Sequence, residues 1–87
     1  MVITLVTKPG CHLCDAARDV VASVVADLES GTSVAPIAIE EVSILDDPAL
    51  FATYADEIPV VLIDGRVHNI WRVDPVRLRT ALLEVAQ

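Results

Sequence analysis

The feature that most constrains this chain is a change of hydrophobic period across seven residues, Lys8-Pro9-Gly10-Cys11-His12-Leu13-Cys14. Before it, Val2-Ile3-Thr4-Leu5-Val6 is a β-branched run with apolar residues on both faces, which predicts a strand covered by helices on each side. After it, Leu13, Ala16, Ala17, Val20, Val21, Val24, Val25 and Leu28 recur at spacings of three and four. That stripe predicts a core-facing helix of about sixteen to eighteen residues beginning at His12 or Leu13. Its polar side carries Asp15, Arg18, Asp19 and Asp27, with Asp15 and Arg18 spaced for local pairing. Two cysteines therefore fall where a strand gives way to a long helix, beside a Pro-Gly break.

The helix is expected to end near Glu29-Ser30-Gly31, with Gly31 as a left-handed cap, followed by a short loop over 32–35. Ile37 to Val42 reads as a second strand whose acidic pair, Glu40 and Glu41, marks its emergence into solvent. Asp46-Asp47-Pro48 has the composition of a helix start, and a short helix through Leu50, Phe51 and Tyr54 stops by Asp56. Val60-Val61-Leu62-Ile63 is the third strand, Asp64-Gly65 a hairpin turn, and Val67 to Trp71 the fourth strand. Asp74-Pro75 opens a last helix, in which Val76, Leu78, Arg79, Leu82, Leu83 and Ala86 include the packing face. The order is β-α-β-α-β-β-α. A right-handed crossover makes the first two strands parallel neighbours, and the closing hairpin adds an antiparallel pair. The expectation is one α/β domain over residues 1–87, a three-layer sandwich around a four-stranded mixed sheet.

Composition fits that reading. Apolar residues make up 54% of the chain with only one Trp, one Tyr and one Phe, so Val, Leu, Ile and Ala must build the interior. A formal charge of −7, from 13 acidic and 6 basic side chains, repels phosphate backbones and anionic lipid. Nucleic acid and membrane are therefore not expected partners. No run of apolar residues is long enough for a membrane span, and the N-terminus lacks the basic segment of a secretion signal. A cytoplasmic location follows as the expectation.

Two cysteines three positions apart cannot close a long loop, so their purpose is reactivity or metal binding rather than stapling. Cys11 is expected at the helix N-terminus, where unpaired N–H groups and the helix dipole favour the thiolate, which is the nucleophile. Cys14, in the first turn and less exposed, is placed to resolve a mixed disulfide. Lys8 just upstream and His12, when protonated, add positive charge nearby. Pro59 has no N–H for a ladder and stands between Ile58 and an apolar strand. A cis Ile58-Pro59 bond would let the backbone of Ile58 face an extended substrate chain, and cis is the expected isomer.

Lys8-Pro9-Gly10-Cys11-His12-Leu13-Cys14, Ile58-Pro59-Val60 and the Asp64-Gly65 turn together give the chain a resemblance to the glutaredoxin-like members of the thioredoxin superfamily. The resemblance spans nearly the whole chain. It implies that Cys11 attacks, Cys14 resolves, Lys8 assists electrostatically, and Pro59 faces the dithiol as a cis-proline. It implies no bound cofactor, a disulfide-containing protein or small thiol as substrate, and a separate reductant donor: glutathione, another low-molecular-weight thiol, or a protein dithiol. The chain departs from the family pattern at His12-Leu13, where Pro-Tyr is common. It departs again at Asn69 to Asp74, where a Gly-Gly pair usually admits glutathione.

Two other readings of the dithiol stand beside this one: a redox-inactive binding module, and a zinc or iron–sulfur site bridging two chains, since one chain offers only two thiols, His12 and His68. His68 is expected on the strand surface. Trp71 is read as packing between the last strand and the final helix, the alternative being the floor of a substrate groove. Arg66, Arg72, Arg77 and Arg79 gather four of the six basic residues near the C-terminus, a less acidic patch for a partner.

Overall fold

Alternation along the first strand sets up two cores. Ile3 and Leu5 point to one side and Val6 to the other, and all three are buried. The computed structural model describes residues 1–31 and 36–85. Its elements run β1 (Val2–Thr7), α1 (His12–Gly31), β2 (Ala38–Ser43), a 3-10 turn (Ile44–Asp46), α2 (Pro48–Tyr54), β3 (Val60–Ile63), β4 (Arg66–Ile70) and α3 (Pro75–Val85). The order is the expected β-α-β-α-β-β-α, with the 3-10 turn as an addition.

The sheet runs β2-β1-β3-β4. β1 and β2 pair in parallel across the α1 crossover, while β3 runs antiparallel to both β1 and β4. On one face, Ile3, Leu5, Val61 and Ile63 meet Ala17, Val21, Val24, Val25 and Leu28 of α1 and Leu78 and Leu82 of α3. On the other, Val6 and Val60 meet Ile44 and Ile58, flanked by Leu50 and Tyr54 of α2. Each fully buried aliphatic side chain contributes roughly 1.5–3 kcal/mol, so the larger cluster fixes α1 against the sheet.

Local chemistry sets the ends. Asp47 accepts from the amide of Ala49 at 2.8 Å and Pro48 starts α2, a cap worth about 1 kcal/mol. Asp74 does the same for α3, accepting from the amides of Val76 and Arg77. Asp64 and Gly65, with φ of 49° and 85°, make the tight turn between β3 and β4.

Four expectations change. β2 spans Ala38–Ser43, one residue later at each end than the expected Ile37 to Val42. The helix is 20 residues long, and Gly31 is its last residue rather than a left-handed cap; the left-handed glycines are Gly10 and Gly65. The fourth strand spans Arg66–Ile70, one residue earlier than read, leaving Trp71 outside it. In α3 the packing face is Leu78 and Leu82, buried, with Ala81 and Leu83 partly buried against the same core, while Val76 and Arg79 are exposed. The loop expected over 32–35 and the Ala86 position lie outside the described residues. Among the described residues, no helix is long and apolar enough to cross a membrane.

Candidate functional site

β1 delivers the dithiol segment. After Thr7, Pro9 stops the strand and Gly10 turns the chain at φ 74°, a conformation that costs an L side chain roughly 1–2 kcal/mol and glycine nothing. Cys11 then immediately precedes α1, and its carbonyl accepts from the amide of Asp15 at 3.3 Å, closing the first helical turn. Cys14 lies within that turn.

The two sulfurs differ sharply in environment. Cys11 is half-buried and Cys14 is buried, and both are free thiols. The amide of Cys14 donates to Cys11 Sγ at 3.1 Å, directing one of the unpaired N–H groups of the helix start at the sulfur. The Cys14 thiol is pushed up to about 11, first by burial and then by its hydrogen bond to Cys11; the backbone of Lys8 and the charge of Arg18 oppose the rise. Cys14 therefore keeps its proton at neutral pH.

Arg18, one helical turn beyond Cys14, is held by carboxylates on two elements. It donates to Glu41 of β2 through Nε at 2.7 Å and Nη2 at 2.9 Å, and to Asp15 through Nη1 at 2.8 Å. The guanidinium holds the Glu41 carboxyl below its ordinary range, and Thr7 Oγ1, buried at the end of β1, donates to the same carboxylate at 3.2 Å. The Asp15–Arg18 pairing matches the spacing read from sequence, and the longer reach to Glu41 ties α1 to the edge strand.

The remaining expected residues distribute as follows. Lys8 and His12 are exposed on either side of Cys11. The Ile58–Pro59 peptide bond is cis, and both residues are buried. Val6 of β1 pairs with Val60 of β3, so β3 begins at the end of the sheet from which β1 releases the dithiol segment. Among the described residues, no group of three or more His, Cys, Asp or Glu side chains gathers as a metal site would require.

Two residues depart from their sequence reading. Trp71 is not packed between β4 and α3: it is 54% exposed and stands at φ 66°, a backbone conformation that costs a bulky residue on the order of 1–3 kcal/mol. Its amide donates to the carbonyl of Pro59 at 2.8 Å and its indole Nε1 to the carbonyl of Asp56 at 3.1 Å. These bonds hold the ring beside the start of β3. With Leu13 of the dithiol segment it lines a groove of about 440 Å³ that also includes His68, Ile70, Arg72 and Arg77. This is the alternative the sequence leaves open for Trp71, and Arg72 and Arg77 beside it belong to the C-terminal group of basic residues.

His68 is the second. The β3–β4 register shifts between Val61 and Leu62, which pair with Asn69 and Val67, so His68 is the extra residue of a bulge. Its Nε2 is buried and, among the described residues, has no hydrogen-bond partner. Burial, and then the charge of Arg77, hold its pKa below the ordinary histidine value.

Comparison with known proteins agrees with this geometry. The profile of the family described as Glutaredoxin-like domain (DUF836) matches residues 2–83. An uncharacterized protein of Mycobacterium tuberculosis (strain H37Rv) is 35% identical over 77 residues, which are 88% of this chain and 77% of that relative. The X-ray structure of target protein XcR50 from X. campestris superposes with a TM-score of 0.70 at 35% identity, covering 98% of this chain and 99% of that one. A mutant thioredoxin from Halobacterium salinarum NRC-1 superposes at 0.64 with 19% identity, covering 99% and 74%, a likeness of fold alone.

Proposed function

The chain belongs to the glutaredoxin-like domain family, and from that premise we propose that it works as a small thiol–disulfide oxidoreductase through Cys11 and Cys14. The observation that carries the reading is the 3.1 Å bond from the Cys14 amide to Cys11 Sγ, made by a residue whose own thiol is buried. It separates the pair into an accessible sulfur supported as an anion and a protonated sulfur held in reserve.

The reaction follows from that asymmetry. Cys11 Sγ attacks one sulfur of a substrate disulfide; a protein–substrate disulfide forms and the first substrate thiolate leaves. That attack removes the negative charge on Cys11 that helped hold the Cys14 proton. Cys14 then gives its proton to the departed substrate thiolate or to solvent and attacks Cys11 Sγ, the second substrate thiolate leaves, and a Cys11–Cys14 disulfide remains. The substrate has gained two electrons and the protein has lost two. Two equivalents of an external thiol, or one external dithiol, restore the dithiol and leave as a disulfide.

Lys8, exposed just before the turn, is the cationic helper in this reading, and His12, exposed just after Cys11, adds charge only when protonated. The cis Ile58–Pro59 bond leads into β3, and in this reading the backbone of Ile58 is the part that pairs with an extended substrate chain. A disulfide-bearing protein or a small thiol disulfide serves as substrate, and a low-molecular-weight thiol or a protein dithiol as donor.

Turnover of 2-hydroxyethyl disulfide with dithiothreitol as reductant tests the reading. The native protein turns over and Cys11→Ser abolishes turnover; mixed with the disulfide in the absence of dithiothreitol, Cys14→Ser accumulates a mixed disulfide. A native protein that fails with every thiol donor is a binding module instead.

A further inference from the structure

Trp71 combines three properties that structural packing does not require: half of its surface is exposed, its backbone sits in the left-handed region, and two hydrogen bonds hold it there. An exposed ring kept rigid at such a cost suits a contact surface, because little side-chain freedom is lost when something stacks on it. Its place is equally specific. With Leu13, which lies between the two cysteines, it walls the 440 Å³ groove and a second one of about 190 Å³ reaching Ala16, Val20 and Val73; Arg72 borders both.

Charge singles out the same surface. The chain carries a formal −7, yet Arg72 and Arg77 flank the larger groove, and among the described residues the ion pairs formed belong to Arg18 alone. A cationic rim on an acidic protein selects for an anion and turns away other parts of an acidic surface.

We propose that Trp71 and Arg72 are specificity-determining residues for a disulfide-bearing polypeptide with an apolar residue and an acidic residue flanking its reactive cysteine. The apolar side chain stacks between Trp71 and Leu13, and the carboxylate meets Arg72 and Arg77. Two grooves meeting at one ring accommodate side chains on both sides of a cysteine, which a polypeptide provides. This assignment rests on the disulfide-exchange reading and adds the substrate class; the chemical step is unchanged.

The test uses a synthetic peptide closed by its own disulfide with Leu and Glu beside the attacked cysteine, its Lys counterpart, 2-hydroxyethyl disulfide and oxidised glutathione. The native protein prefers the Glu peptide to the Lys peptide by about tenfold in kcat/KM. Trp71→Gly, which suits the left-handed backbone, raises KM for the Glu peptide about tenfold with kcat held within about twofold. The ratio of its kcat/KM for that peptide to that for 2-hydroxyethyl disulfide falls at least about fivefold. Arg72→Glu reverses the preference toward the Lys peptide.

A second readout is independent of turnover. The single Trp of Cys11→Ser/Cys14→Ser changes its fluorescence saturably on titration with the Glu peptide, and the Arg72→Glu substitution in that background weakens the titration at least about fivefold. An unchanged KM in Trp71→Gly, or a flat titration, overturns the proposal. An equal loss with oxidised glutathione assigns the groove to a small thiol and overturns the polypeptide class. Absence of turnover in the native protein defeats the dithiol reading, and the titration then still decides the binding claim.

Discussion

Cys14 donates its amide to Cys11 Sγ at 3.1 Å while its own thiol is buried and pushed up to about 11. The two cysteines are thus chemically unequal although they are three positions apart in one helical turn. Brief treatment of the reduced protein with iodoacetamide at pH 7 to 8 is expected to label Cys11 and spare Cys14, as read by peptide mass spectrometry. The same burial has a stability consequence. A thiol whose folded pKa exceeds its unfolded value stabilises the fold fully below the unfolded value, about 8.5, and that contribution is lost as pH rises through about 11. Denaturant midpoints should fall over that window, and Cys14→Ala should flatten the fall.

Trp71 at φ 66° reverses an ordinary rank order. In most positions alanine is more stabilising than glycine, but in the left-handed region the β-carbon is penalised. Trp71→Gly is expected to be more stable than Trp71→Ala by about 1 kcal/mol, measured by urea denaturation. Equal stabilities, or alanine the more stable, would contradict the conformation described.

His68 carries a buried Nε2 and faces the charge of Arg77, both of which disfavour its protonated form. Its ring is expected to titrate below the unperturbed value of about 6.5 in proton NMR, and Arg77→Gln should bring it partway back. Because the folded pKa lies below the unfolded one, the unfolded chain takes up the proton first. Stability is then full above about pH 6.5 and declines as pH falls toward the lower folded value.

Glu41 behaves oppositely to an unpaired carboxyl. Arg18 holds its pKa down, so the carboxylate stabilises the fold above the unfolded value of about 4.3, and that contribution is lost as pH falls through the folded value. Side-chain carboxyl NMR should place Glu41 below a typical glutamate, and Arg18→Gln should return it toward that range. Both partners are well exposed, so added salt should weaken the effect.

Much of this was legible in the residues. The switch from a β-branched run to a three-and-four stripe located β1 and α1, because burying one face imposes that period on each element. Asp47-Pro48, Asp64-Gly65 and Asp74-Pro75 marked two helix starts and a turn, because those side chains and backbones satisfy the chain ends locally. What escaped depends on tertiary register. The bulge at His68 arises from how β4 meets Val61 and Leu62, which no local pattern encodes, and it accompanies the earlier end of the strand. Trp71 reads from sequence as packing between the last strand and the final helix, with a groove floor as the alternative; its exposure follows from hydrogen bonds to Pro59 and Asp56, distant in sequence. Gly31 looked like a cap, yet the helix runs through it, since glycine permits the left-handed conformation without demanding it.

Intact-mass analysis of the reduced protein after reaction with a small disulfide tests the division of labour between the cysteines most directly. The native chain should end unadducted with a Cys11–Cys14 disulfide, Cys14→Ser should stop as a one-to-one adduct on Cys11, and Cys11→Ser should remain unmodified at neutral pH. A stable adduct on Cys14, or a native chain that keeps both thiols, would contradict it.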